Sequence, residues 1–206
     1  MAKLKRSEVR HFLADLTDKL SGDNGSEWLD GLKKFLNKEN PRGTAEVVFA
    51  HQWETWKTIT IGELKSVKTC IKNLEKVGVE VSRWAGNFLG NVEFSREKRK
   101  LELIRLSVAE LGFPKGAKLK DIYARAKEQG LDLCSAETGP ALRLAYQDQP
   151  VGEWILIAME PVLDSDGGLA IFRVDRDTGD LWLHARCGNP DDVWGPGDQF
   201  LFLRRK

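Results

Sequence analysis

Cysteine and histidine are scarce in this chain, which limits the metal and redox chemistry available to it. Only three residues are cysteine (Cys70, Cys134 and Cys187), and only three are histidine. The cysteines are odd in number, widely spaced and without a Cys-x-x-Cys pair, so the sequence predicts neither a disulfide framework nor a zinc site. We therefore expect no bound metal and no cofactor.

Long apolar runs and an excess of either charge are also absent. No apolar stretch approaches the roughly 20 residues that span a bilayer. The charged opening MAKLKRSEVR leads into an amphipathic segment without a signal-peptide core. The chain has 32 Lys and Arg against 31 Asp and Glu, and 41% of it is hydrophobic. This composition predicts a soluble globular protein of the cytoplasm that does not contact a membrane.

The first half of the chain shows mainly helical periodicity. Apolar residues at steps of three and four predict helices over residues 7–20 and 64–74, one with Ser26 as N-cap, and one behind Ser82. TAEVVFA and WETWKTITIG are rich in Val, Thr, Ile and aromatics, which predicts a short β-hairpin. The basic run SREKRK, residues 95–100, then ends a mostly helical N-terminal domain of residues 1–95.

The second half changes to strand periodicity. LELIRLSV predicts a strand, and helices are predicted from Leu119, closed by Gly130, and from Thr138. EWILIAMEPV, LAIFRVD, DLWLHAR and DQFLFLRR then alternate with turn-forming stretches. The sequence thus predicts an α+β fold with a helical N-terminal part that contains a short β-hairpin. Residues 101–206 are expected to form a domain with an antiparallel sheet of about four strands and flanking helices.

Several segments spread over most of the chain resemble one bacterial protein family. They are SVAELGF, DIYARAKEQGLDLCSAETGPALRLAYQDQPVGEWILIAMEP and DSDGG, together with GSEWLDGLKKFLNKENP and WKTITIG. In these segments the chain resembles a family of uncharacterised proteins that is frequent in candidate-phyla (Patescibacteria-like) genomes. The family has no assigned activity, so the resemblance implies relatives but no reaction.

One candidate ligand site lies where the last predicted helix meets the following strand. It combines carboxylates with a guanidinium, an amide and an indole: Glu137, Arg143, Gln149, Glu153 and Trp154. Paired carboxylates beside an arginine can orient a polar ligand or perform acid and base catalysis. The simpler interpretation is that these groups pair with one another and hold a structural junction.

Two further features suggest contact with a partner. Trp194 lies in the turn-forming stretch NPDDVWGPG, where a tryptophan can anchor a protein partner. Arg96, Lys98, Arg99 and Lys100 form a basic run that could touch the phosphates of a nucleic acid without reading its sequence. The basic run is equally typical of a solvated linker.

These features favour a non-catalytic binding or adaptor protein whose partner is a protein or a nucleic acid. One alternative is a hydrolase that uses the acidic cluster or Cys134, with His184 as the base. Another is a structural or defence-related accessory protein. The helix pair around residues 64–89 could read DNA through Arg83 and Asn87, although packing explains it more simply. DSDGG predicts a hairpin turn rather than a calcium loop.

Overall fold

The computed structural model of the protein describes residues 15–36, 53–163 and 167–205. Contacts divide the chain into two units, Met1–Val48 and Phe49–Lys206. In the first unit residues 15–21 are helical, and helix α1 spans Gly25–Leu36. Helix α1 already includes Ser26, the predicted N-cap. The predicted strand TAEVVFA and most of the turn DSDGG lie outside the described residues.

The second unit alternates strands and short helices. In chain order they are β1 (Lys57–Ile61), α2 (Val67–Lys76), β2 (Val79–Val81), α3 (Arg83–Leu89), β3 (Arg99–Ser107), β4 (Ala117–Lys118), α4 (Leu119–Glu128), β5 (Leu131–Asp132), α5 (Thr138–Ala145), β6 (Trp154–Ile157), β7 (Val162–Leu163), β8 (Leu169–Arg176), β9 (Leu181–Cys187), β10 (Val193–Trp194) and β11 (Gln199–Arg204).

Nine of these described strands form one mixed sheet. Their order is β1-β3-β11-β6-β8-β9-β2, with β5 also paired to β11 and β7 to β8. Most neighbouring strands are antiparallel, but β6 lies parallel to β11 and β2 lies parallel to β9. Strands β4 and β10 form a separate antiparallel pair.

The predicted fold class is therefore wrong. The sheet has nine strands rather than about four, it is mixed rather than antiparallel, and it takes β1 and β2 from the segment predicted to be mostly helical. Strand β1 pairs with β3, from Lys57 against Leu103 to Ile61 against Arg99. Alternation along a strand indicates which side chains are buried, but it does not indicate which distant strand supplies the neighbouring hydrogen bonds.

A strand also replaces the turn expected between helices α2 and α3. Ser66 and Ser82 cap these helices, each side chain accepting a hydrogen bond at 3.2 Å from a backbone N–H three residues later. Between the helices, Val79–Val81 pairs with residues 181–183 of β9. The arrangement is helix, strand, helix, which differs from the helix-turn-helix motif that reads DNA.

One face of the sheet is buried under helices. Phe172 of β8 shows this packing, because its ring centroid lies 4.1 Å from that of Phe88 in α3. On its other side Phe172 meets α5 at Gly139, where a Cβ would lie 2.6 Å from the ring. Only glycine allows so close an approach. Aliphatic residues of the central strands complete this core: Ile155, Ile157, Val174 and Leu183.

The opposite face is covered over β11 and becomes half-exposed towards β9. Tyr123 of α4 lies edge-on to Phe200 with centroids 6.4 Å apart, and Trp194 lies edge-on to the same ring at 5.4 Å. The register places Arg173 of β8 and His184 of β9 in the same cross-strand row as Phe200. Phe200 is buried, whereas Arg173 and His184 are half-buried. We call this side of the sheet the half-open face, and the candidate site lies on it.

Candidate functional site

Arg143, near the end of α5, is the centre of a buried polar network. Its Nη1 donates to Gln149 Oε1 at 2.5 Å and to the carbonyl of Asp175 at 3.1 Å, and its Nη2 donates to the carbonyl of Tyr146. Burial lowers the pKa of the guanidinium to about 10, and the negative charge of Asp175 opposes this lowering. The group therefore stays charged at neutral pH and joins three segments of the chain.

Gln149 and Glu153 extend this network. Gln149, which is also buried, donates from Nε2 to the carbonyls of Glu153 at 3.1 Å and Val174 at 3.3 Å. The carboxylate of Glu153 accepts from Arg105 at 2.6 Å and from the hydroxyl of Tyr146 at 2.7 Å. Three of the five predicted ligand-binding residues thus meet, but their polar groups bind one another and neighbouring backbone.

The other two predicted ligand-binding residues lie apart from this network. Glu137 is buried and accepts hydrogen bonds from the backbone N–H groups of Gly62 at 2.8 Å and Ser95 at 2.9 Å. It therefore ties the end of β1 to the segment before β3. Trp154 lies on the half-open face of the sheet, where the guanidinium of Arg173 is 5.7 Å from its ring centroid.

Cys134 and His184, the pair expected for a hydrolase, have separate surroundings. Cys134 is buried and its thiol donates to the carbonyl of Leu201 at 3.5 Å. Burial raises the pKa of this thiol to about 12, so it is protonated at neutral pH and a poor nucleophile. His184 instead lies 3.7 Å from the carboxylate of Asp175 and stacks on Trp182, with centroids 4.9 Å apart.

The basic run that leads into β3 does not form one patch. Arg96, Lys98, Arg99 and Lys100 are all exposed, but Lys98 Nζ lies 2.7 Å from the carboxylate of Glu63. Arg99 and Lys100 are the first two residues of β3, and successive strand residues point to opposite faces of a sheet. A nucleic acid would have to bend around the sheet to touch all four side chains.

The half-open face contains a groove of about 470 Å³. We call it the Trp154–Trp194 groove. It is lined by residues of β6, β8, the end of β9 and the segment that follows as far as β10: Trp154, Arg173, Arg186, Cys187, Asp192, Val193 and Trp194. The groove joins two tryptophans that the sequence assigns to separate candidate sites.

A row of ionisable side chains lies beside the groove. Arg173 forms an ion pair with Asp175, whose second oxygen is 3.7 Å from His184 Nε2. Burial raises the pKa of Asp175, and the positive charge of Arg173 opposes this rise. Burial also lowers the pKa of His184, against the attraction of Asp175. The Arg173 guanidinium is therefore held in place by a neighbour on its own strand.

Arg186 differs from Arg173 in having no such neighbour. Its side chain is exposed and forms no hydrogen bond or ion pair within residues 15–36, 53–163 and 167–205. Its charge adds to the lowering of the pKa of Arg173, for which burial is the larger cause. Among the described residues Arg186 is thus the one groove cation without a hydrogen-bond or ion-pair partner, and in this sense we call it uncompensated.

Several residues of this face carry no sequence motif. They are Arg173, Asp175, Trp182 and Arg186, which occupy every second position of LAIFRVDR and DLWLHAR. Such alternation is typical of strands with one buried and one open face. It could have identified these residues as one surface, but it does not show which loop lies above them.

Comparisons of the chain with protein-family models, with curated proteins and with solved structures give no match. The resemblance to candidate-phyla proteins therefore stays a prediction. In the part of the chain that the structure describes, no three or more His, Cys, Asp and Glu side chains cluster as a metal site would require. No helix in that part combines the length and apolar character that a membrane span needs.

Proposed function

We propose that the protein is a non-catalytic binding protein and that the Trp154–Trp194 groove is its binding site. One observation carries the proposal: two tryptophans from different segments and two arginines line the same groove on the half-open face. Tryptophan and arginine are enriched at the energetic centres of protein interfaces. They combine a large contact area with hydrogen-bond donors.

The size and rim of the groove support the same function. Its volume of about 470 Å³ lies within the range of roughly 300–1,000 Å³ that is typical of ligand sites. Val193, on the rim, is 71% exposed, so a partner can bury its apolar surface on binding. Arginine and tryptophan are residue types enriched at interface centres, and Val193 adds exposed apolar area beside them.

The hydrogen bonds that Glu137 and Glu153 already accept within the protein favour binding over catalysis. A general base must have an oxygen within hydrogen-bond reach of the substrate. Both oxygens of Glu153 accept hydrogen bonds from Arg105 and Tyr146, and both oxygens of Glu137 accept from backbone N–H groups. A substrate would have to displace these internal donors before either carboxylate could act.

Photo-crosslinking tests this proposal. A benzophenone side chain is placed at position 193 in the full chain, and cells that naturally produce the protein are irradiated. We expect a crosslinked product that disappears when Arg186→Glu is added. The matched control carries the same group at position 84, because Trp84 is 64% exposed on α3, which packs on the opposite face.

The proposal predicts no Arg186-dependent product from position 84. Products that are the same at positions 193 and 84, or that persist in Arg186→Glu, would contradict it. Circular dichroism of each variant establishes that the fold is retained.

A further inference from the structure

We infer that the Trp154–Trp194 groove binds an acidic peptide segment in which a carboxylate side chain stands beside a large apolar side chain. The inference rests on the proposed function and specifies the chemistry of the partner. Three features of the groove carry it: an uncompensated cation, a carboxylate without a donor, and two indole rings.

The uncompensated cation is Arg186. It is exposed at the end of β9 and its guanidinium has no acceptor within the described ranges. A guanidinium offers donors in a planar fork that matches the two oxygens of a carboxylate. Arg173 stands in the same groove but already holds Asp175. An anionic side chain of the partner would therefore pair with Arg186.

The carboxylate is Asp192, which also lines the groove. It is half-buried, and its side chain forms no ion pair or hydrogen bond with the residues that the structure describes. A peptide supplies backbone N–H groups at regular intervals, and these donors suit a carboxylate acceptor. A free small carboxylic acid would offer no such donor to Asp192.

The indole rings are those of Trp154 and Trp194. Trp154 is half-buried beside Arg173, and Trp194 is half-buried against Phe200. Both tryptophans line the groove together with Val193. Burying an apolar or aromatic side chain against this surface is favourable, and it places that side chain close to Arg186.

Two residues of the groove each contain a covered donor. Arg173 Nε and Trp194 Nε1 are buried and have no hydrogen-bond partner in the described part of the chain. Native proteins leave few such groups, so each calls for an explanation. A bound peptide that turned the Trp194 ring towards the groove would give its N–H a carbonyl acceptor, whereas Arg173 stays paired with Asp175.

The acidic residues around the groove disfavour a polyanion. Asp192 lies in the groove, and Asp175 forms an ion pair with Arg173, which lines it. Nucleic-acid binding depends on several cations that face successive phosphates. In the described residues only Arg186 of the two groove arginines lacks an ion-pair partner, which suits a single anionic group better than a chain of them.

Fluorescence anisotropy with labelled, capped peptides tests the inference on the full chain. The probes are a Gly-Glu-Phe-Gly peptide, its Glu→Gln counterpart, and an oligothymidylate. We expect the Glu peptide to bind about tenfold more tightly than the Gln peptide. Arg186→Gln should abolish this preference, whereas Arg83→Gln, at an exposed arginine on α3, should retain it.

Four outcomes would overturn the inference. Equal affinity for both peptides, or a preference that survives Arg186→Gln, would mean that Arg186 does not read a carboxylate. Binding of the oligothymidylate alone, lost in Arg186→Gln, would replace the peptide by a nucleic acid and leave the groove as the binding site. If no probe binds while position 193 still gives an Arg186-dependent crosslink, the peptide chemistry is wrong and the proposed function stands.

Discussion

Truncation of Arg143 should destabilise the protein without affecting the proposed binding site. The side chain is 0% exposed and donates to Gln149, Tyr146 and Asp175. It lines neither the groove nor its rim. Arg143→Ala therefore separates the two roles that the sequence leaves open for this segment, a structural junction and a ligand site.

The expected loss follows from the groups left behind. Gln149 Oε1 and the carbonyls of Tyr146 and Asp175 each lose a donor, and a buried acceptor without a partner costs about 1–3 kcal/mol. The vacated volume adds to the loss. Relief from burying a charge acts in the opposite direction. We expect the free energy of unfolding to fall by about 3–5 kcal/mol, as when one member of a buried charged network is removed.

Urea unfolding followed by circular dichroism measures this change. Arg83→Ala is the matched control, because Arg83 is exposed and its loss should change stability by no more than about 0.5 kcal/mol. A loss below about 1 kcal/mol for Arg143→Ala would refute the structural role. Below its unfolding temperature the variant should still crosslink through position 193. Loss of crosslinking without loss of stability in Arg143→Ala would indicate that Arg143 belongs to a functional site.

Gly139→Ala should destabilise the protein by about 1–3 kcal/mol, because its Cβ would lie 2.6 Å from the ring of Phe172. Gly86→Ala places its Cβ in open space and should be neutral or stabilising. Equal changes in the free energy of unfolding of the two variants, measured in urea, would contradict the close packing of Gly139 on Phe172. Because burial lowers the folded-state pKa of His184 below its usual 6.5, the unfolded state binds more protons just below that pH. Stability should therefore rise as pH increases through this range, and His184→Gln should flatten the rise in melting temperature; an unchanged slope would argue against burial as the cause. A thiol reagent should label exposed Cys187 in the native protein but the two buried thiols only after unfolding, and equal labelling rates would contradict this burial.

Local structure could be predicted from the sequence where one segment determines it. Helix α4 ends near Gly130, whose φ is +76°, as the left-handed cap predicts. Ser82 caps α3, and LELIRLSV lies almost entirely within β3. Each of these features depends on a few neighbouring residues. Propensity and capping chemistry are therefore sufficient to indicate them.

The sheet could not be predicted in the same way, because its order depends on distant pairs. Val79–Val81 is too short for alternation to be visible, and its partner in β9 lies about a hundred residues later. The parallel pairing of β11 with β6 likewise leaves no local sequence signal. Prediction of neighbouring hairpins therefore produced a smaller, purely antiparallel sheet.

The candidate site was accessible from the sequence only in part. The sequence indicates Trp154 because it lies at a helix-to-strand junction, and it indicates Trp194 because turn-forming residues surround it. Their association depends on β6, β8 and β9 and on the loop that returns over them. No sequence motif marks Arg186. That its guanidinium has no ion-pair partner among the described residues can be judged only when the strands and the loop next to β9 are known.

The most direct test of the account is an NMR spectrum of the indole N–H groups of the seven tryptophans, recorded during titration with the acidic peptide or with the crosslinked partner. Signals are assigned from single Trp→Phe variants. The account predicts that the signals of Trp154 and Trp194 move together, that Trp84 on the opposite face does not move, and that Arg186→Gln suppresses the changes. Movement of Trp84 while Trp154 and Trp194 stay fixed would contradict the assignment of the groove as the binding site.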